Sequence, residues 1–87
     1  MERPQLITMF RSIASEIAEK DLSQIQEDSP ITDLGIDSLA MLELVGSMER
    51  TLRIRVPDEQ LVGLETVRQL LELVEGRMQA AFHPAAE

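Results

Sequence analysis

Asp37 and Ser38, within the run Leu34-Gly35-Ile36-Asp37-Ser38-Leu39, are the residues whose types and spacing bear most directly on chemistry. Asp37 is a good helix N-cap, and apolar residues recur at helical intervals after it, so Ser38 falls in a first helical turn. A hydroxyl there stands at the positive end of a helix dipole, beside backbone N–H groups that have no helical acceptor. A phosphate attached at that point is stabilised. The same surroundings do not make Ser38 a nucleophile in its own right, because no base is placed to take its proton and Asp37 can cap the helix as readily as accept one. The sole histidine, His83, lies in the C-terminal segment and reads as a solvated residue, and no G-x-S-x-G elbow exists, so a hydrolytic triad is excluded. With no cysteine and one histidine, only carboxylates remain as metal ligands. They lack the spacing of a calcium loop, and no metal site is expected. Gly35, Gly46, Gly63 and Gly76 are isolated and form no phosphate-cradling loop. The chain is therefore expected to be non-catalytic, with any reaction at Ser38 driven from outside, and an Asp-Ser-Leu triplet taken alone is no more than a helix start.

Four helical segments are expected to position these residues. Leu6, Ile7, Phe10, Ile13, Ala14 and Ile17 recur at three- and four-residue steps, and Pro4 suits a first turn, which predicts a helix over about residues 4 to 19. Residues 20 to 37 show no helical period but carry Leu22, Ile25, Ile31, Leu34 and Ile36, the pattern of a long loop pinned to a core, with Pro30 discouraging helix and Gly35 supplying a turn. A second helix follows from Ser38 to about Thr51. Met41, Leu44, Val45, Met48 and Leu52 share its inner side, while Leu39 and Leu42 stand opposite, among Glu43, Gly46, Glu49 and Arg50. Those two leucines are either covered by the long loop or form a docking patch. Arg53 to Val56 alternates briefly, but Pro57 ends it and no partner strand is evident, so it reads as a linker. A short helix is expected from Pro57 until Gly63, and a last long one after the capping-box pattern Thr66-Val67-Arg68-Gln69, with Val67, Leu70, Leu71, Val74 and Met78 on its stripe and Gly76 weakening its end. The fold class is all-α: a small bundle of three longer helices and one short helix, with a long loop between the first and second.

Composition sets the outer bounds. At 87 residues and 44% hydrophobic, the chain supports one core, expected over residues 1 to 79, with 80 to 87 as a tail. A formal charge of −8 is the opposite of what a nucleic-acid reader needs, and from Asp21 to Glu49 there are seven acids and no Lys or Arg. No apolar run approaches the roughly 20 residues of a membrane span, and the start Met1-Glu2-Arg3-Pro4 lacks the order of a signal peptide. A cytoplasmic monomer with neither nucleic acid nor membrane as partner is expected, and Met1 favours a free-standing protein over an excised domain. Phe10 and Phe82 are the only aromatic residues, so the core is built from Leu, Ile, Val and Met.

The motif Leu34-Gly35-Ile36-Asp37-Ser38-Leu39 on the second helix of an acidic, cysteine-free chain resembles the acyl carrier proteins of fatty acid and polyketide synthesis. The likeness extends through Leu42-Glu43-Leu44-Val45 to Val56-Pro57-Asp58-Glu59 and Thr66-Val67. It implies that Ser38 receives phosphopantetheine from coenzyme A through a phosphopantetheinyl transferase. The arm's thiol then carries an acyl chain as a thioester among acyl-loading, condensing or modifying enzymes. It further implies that partners meet the start and outer face of the second helix, at Asp37, Leu39, Leu42, Glu43 and Glu49, and that Met41, Val45 and Met48 line the interhelical space that receives cargo.

Two departures narrow the resemblance. Fatty acid carriers are acidic throughout this helix, whereas Arg50, Arg53 and Arg55 interrupt here, and Gly46 replaces a larger apolar residue. These features imply polyketide or related specialised biosynthesis, with Arg50, Arg53 and Arg55 forming the cationic end of a dipolar partner-binding edge. A peptidyl or aminoacyl carrier is the neighbouring alternative, which Ile36 disfavours because those carriers show a second glycine at that position. An unmodified helical adaptor that binds one partner through Leu39 and Leu42 is the alternative outside the family.

Overall fold

In the computed structural model, which describes residues 2–81, the first apolar stripe closes into helix α1 over Arg3–Ala18. Pro4 sits in its first turn, and Gln5 Oε1 accepts the Glu2 amide at 3.0 Å. Leu6, Ile7, Phe10 and Ala14 face the interior, with Ile13 and Ile17 half-buried at its margin. Glu19 takes a left-handed conformation (φ 56°), and the Lys20 amide donates back to the Ser15 carbonyl at 3.2 Å, a six-to-one bond that ends the helix without glycine.

The long loop is held at several points. Leu22, Ile25 and Leu34 are buried, the Leu22 amide donates to Ser15 Oγ at 2.9 Å, and Arg11 Nε donates to the Ile25 carbonyl at 2.7 Å. Two features depart from the expected irregular loop. Ile31–Leu34 forms a single 3-10 turn that starts after Pro30, whose φ of −64° is already that of a helix start and whose missing N–H is not needed there. Pro30 also bridges Thr66 in antiparallel fashion: the Ile31 amide donates to the Glu65 carbonyl (2.8 Å) and the Val67 amide to Ser29 (3.0 Å). These bonds fasten the loop to the start of the last helix.

Helix α2 covers Ser38–Leu52 and α3 covers Val67–Ala81. The expected capping box precedes α3, the Gln69 amide donating to Thr66 Oγ1 at 3.3 Å and the Thr66 amide to Gln69 Oε1 at 3.2 Å. Gly76 does not stop α3, which runs two residues into the segment expected as a tail; residues 82–87, His83 and Phe82 among them, lie outside the described residues. The expected short helix is a 3-10 turn, Asp58–Leu61.

Leu44 and Met48 of α2 meet Leu6, Phe10, Leu34 and the α3 residues Val67, Leu70, Leu71 and Val74 in one aliphatic core. Fully burying each such side chain is worth about 1.5–3 kcal/mol before entropy is counted. Residues 53–56, expected as a plain linker, belong to the core as well. Ile54 and Val56 are buried and Arg53 and Arg55 exposed, so the brief alternation, which begins on the left-handed Arg53 (φ 58°), marks a half-buried segment with no strand partner among the described residues. On the far side of the bundle Arg3 pairs both Glu75 oxygens (Nε to Oε2, 2.9 Å) and reaches Glu27, which Arg68 also approaches at 3.5 Å. No helix among the described residues is long and apolar enough to cross a membrane.

Candidate functional site at the start of the second helix

Gly35 and Asp37 set the geometry around Ser38. The 3-10 turn closes with Gly35 at φ 65°, its amide donating to the Thr32 carbonyl at 3.1 Å, and this left-handed residue turns the chain toward α2. Asp37 is the N-cap. Its Oδ1 accepts the Ala40 amide at 2.8 Å and its carbonyl accepts Met41 at 2.9 Å. The carboxylate is thus engaged as a cap and is not aimed at Ser38 as a base. Ser38 is the first residue of the helix and is exposed, and its amide and that of Leu39 have no acceptor among the described residues. An accessible hydroxyl at the positive end of a 15-residue helix, next to two open N–H donors, suits a phosphodiester.

A groove of about 330 Å³ opens beside Ser38. Its walls are aliphatic: Ile31 and Ile36 from the loop, Met41 and Leu42 from α2, and Leu61, Val62 and Leu64 from the segment before α3. Two of the large apolar residues that stay exposed among the described residues line this groove, Val62 at 82% and Leu42 at 43%, and Leu39, 69% exposed, follows Ser38 on α2 without lining it. The loop therefore does not cover Leu39 and Leu42.

The residues singled out from sequence divide as follows. Ser38, Asp37, Leu39, Leu42 and Glu43 lie exposed at the start and outer side of α2. Of the three expected to line the cargo space, Met41 is a wall of this groove, while Val45 and Met48, 3% and 0% exposed, lie in the core between the helices and do not reach it. Positions 45 and 48 lie one and two turns further along the inner face of α2, where the other helices close over them. Glu49 is half-buried, and its Oε2 accepts the Val56 amide at 2.6 Å, which fastens the chain after α2. Arg50, Arg53 and Arg55 are exposed at the C-terminal end of α2 and just beyond it. Gly46 leaves open the strip of α2 over which Arg50 lies back, Nη1 standing 3.6 Å from where a β-carbon would be. Leu61, Val62 and Leu64 went unrecognised as groove walls. Their signal was the apolar run Leu61-Val62 resuming at Leu64 across Gly63, which turns at φ 87° after the 3-10 turn has ended at Leu61.

A family profile described as a phosphopantetheine attachment site matches residues 10–74. The chain is 36% identical over 83 residues to the anthracycline acyl carrier protein DauA of Streptomyces sp. strain C5, covering 93% of this chain and 99% of that protein. It is 31% identical over 77 residues to a 3-methylorcinaldehyde synthase of Sarocladium schorii, covering 88% of this chain but spanning only 3% of that synthase. Among solved structures, an acyl carrier protein from Thermotoga maritima superposes with a TM-score of 0.84 at 33% identity, over 93% of this chain and 95% of that one.

Proposed function

The chain belongs to the phosphopantetheine-attachment family, the acyl carrier proteins, and from that premise we propose that Ser38 bears the arm and that the chain is a non-catalytic carrier in polyketide or related specialised biosynthesis. The observation that carries the assignment to Ser38 is its exposure as the first residue of α2, behind an Asp37 cap and beside an apolar groove. The other exposed hydroxyls lack this combination of a helix start and adjoining groove. When bound, the group supplies the thiol, absent from the sequence, that holds an acyl chain as a thioester. This chain's residues do the rest. The helix N-terminus and the amides of Ser38 and Leu39 stabilise the phosphodiester charge, Asp37 holds the first turn in place, and the aliphatic groove offers water-free surface to an apolar cargo.

The exposed Leu39, Leu42 and Glu43 form the face that a phosphopantetheinyl transferase and acyl-loading, condensing or modifying enzymes meet. The resemblance to DauA over nearly the full length of both chains supports the polyketide side of this reading. A cytoplasmic monomer whose carrier domain spans residues 1–79 completes it. The test is incubation with coenzyme A and a promiscuous phosphopantetheinyl transferase, followed by proteolysis and fragmentation of the modified peptide. The arm is expected on Ser38; an arm on Ser47 or another serine overturns the site, and no arm at all favours an unmodified adaptor.

A further inference from the structure

We propose that Lys20 is a site of self-acylation: its amine takes the acyl group from a straight-chain thioester carried at Ser38, leaving a stable amide on Lys20 and a free thiol. The proposal rests on the carrier reading, which supplies the acyl donor. It adds to that reading a slow side reaction that ends in a permanent modification of the chain.

Chemistry narrows the acceptor first. A thioester yields to an uncharged amine more readily than to a hydroxyl, and the amide that forms is far more durable than an ester or a second thioester. Lys20 is the only lysine among the 87 residues, and there is no cysteine to compete with it. The arginines are no substitute, because a guanidinium keeps its proton throughout the range in which proteins work. One side-chain amine is therefore available to the whole molecule.

The fold then places that amine near the attachment point. Lys20 follows the left-handed Glu19 that closes α1, and it is exposed. Its side chain crosses to the turn that leads into α2, with Nζ 2.5 Å from the place a β-carbon would take on Gly35. Gly35 precedes Ser38 by three residues joined by trans peptides, so their Cα atoms are no more than about 11 Å apart. An extended pantetheine spans more than the path from Ser38 to this amine, and reach does not limit the reaction. Ile36, next to Gly35, is also a wall of the groove beside Ser38. Among the described residues Lys20 makes no ion pair, so no carboxylate has to be displaced before the amine turns to a new partner. Donor and acceptor on one chain meet at an effective concentration on the order of millimolar, whatever the concentration of the chain itself.

The step balances without a further reactant. The Lys20 amine, having given one proton to water, attacks the carbonyl carbon of the thioester. The C–N bond forms and the C–S bond breaks, and the departing thiolate takes the proton that the new amide nitrogen sheds. Nothing is oxidised or reduced. Lys20 loses its charge in the process, which leaves no Lys or Arg between Arg11 and Arg50 and makes the stretch around Ser38 wholly acidic.

The test loads the chain with octanoyl-pantetheine from octanoyl-coenzyme A and a promiscuous phosphopantetheinyl transferase, removes the small molecules, and holds the product overnight at mildly alkaline pH, where more of a lysine's amine is uncharged. Hydroxylamine then cleaves thioesters and spares amides, and fragmentation locates any octanoyl group that remains. A resistant octanoyl group is expected on Lys20, accumulating at the same fractional rate after tenfold dilution. Lys20→Arg, which keeps the cation, should load equally and retain no octanoyl group after hydroxylamine. Ser38→Ala held with free octanoyl-coenzyme A at the concentration of the chain should gain at least tenfold less on Lys20. A loaded chain that gives up every octanoyl group to hydroxylamine, a resistant group on the α-amine or any residue other than Lys20, slowing on dilution, or equal labelling of Ser38→Ala would overturn the proposal and leave the carrier reading standing. A chain that cannot be loaded at all would overturn the carrier reading and the proposal with it.

Discussion

Gly35 and Asp37 decide where the Ser38 hydroxyl stands: the first turns the chain at φ 65° and the second closes the helix start with a 2.8 Å bond to the Ala40 amide. Both roles were legible in the sequence, because a glycine two residues before an N-cap leaves few alternatives for the path of the backbone. The side chain of Lys20 passes over Gly35, with Nζ 2.5 Å from the position a β-carbon would take. Gly35→Ala is therefore expected to cost about 1 kcal/mol, from the left-handed backbone more than from the movable lysine, and to lower the rate of phosphopantetheine uptake by misplacing Ser38. Thermal melts and initial rates of mass gain check both effects. Unchanged stability would show that Gly35 is dispensable as a turn. What the sequence concealed at this scale was commitment: Glu49 reads as one more surface acid on the outer side of a helix, and only the folded chain shows the Val56 amide that claims it.

Among the elements, the three long helices were visible because their apolar stripes repeat over at least three turns, and their ends fell within a few residues of expectation. The less legible parts share a cause: they depend on contacts between distant segments. The Pro30–Thr66 bridge joins residues 36 positions apart and involves a proline, a residue that sequence reading counts against regular structure. The ends of α1 and α2 are closed by left-handed Glu19 and Arg53, where no glycine announces the motif. The segment 53–56 alternates as a strand does and buries Ile54 and Val56, yet has no strand beside it among the described residues; the Glu49 side chain and Arg77 take the place of a ladder. Glu49→Ala removes the acceptor of a buried residue's amide and is expected to destabilise the fold by about 1–3 kcal/mol, while Glu49→Gln, which keeps an acceptor oxygen, should recover much of that. Denaturant melts separate the two variants. Equal stability of Glu49→Ala and the parent would return Glu49 to the surface role that sequence alone assigned to it.

For the molecule as a whole, one tie between the chain's beginning, loop and end has a sign that can be measured. Hydrogen bonds from Arg3 hold the Glu75 carboxyl below the usual range, with the Arg3 charge adding to them and partial burial opposing. A carboxyl depressed in the folded state contributes its full stability above its unfolded value, about 4.3, and loses it as pH falls through the lower folded value. Unfolding free energy should therefore drop as pH falls below that point, and Arg3→Ala or Glu75→Gln should flatten this part of the curve. An identical acid limb in both variants would show that the tie contributes nothing. The central claim concerns Ser38, and the most direct measurement is the intact mass of the parent chain and of Ser38→Ala after the same exposure to coenzyme A and transferase. An exposed helix-start substitution of this kind shifts stability by no more than about 0.5 kcal/mol, so both chains enter the reaction folded. The account requires the parent to gain one phosphopantetheinyl unit and Ser38→Ala to gain none; a parent that stays unmodified, or a Ser38→Ala chain that gains the unit, would contradict it.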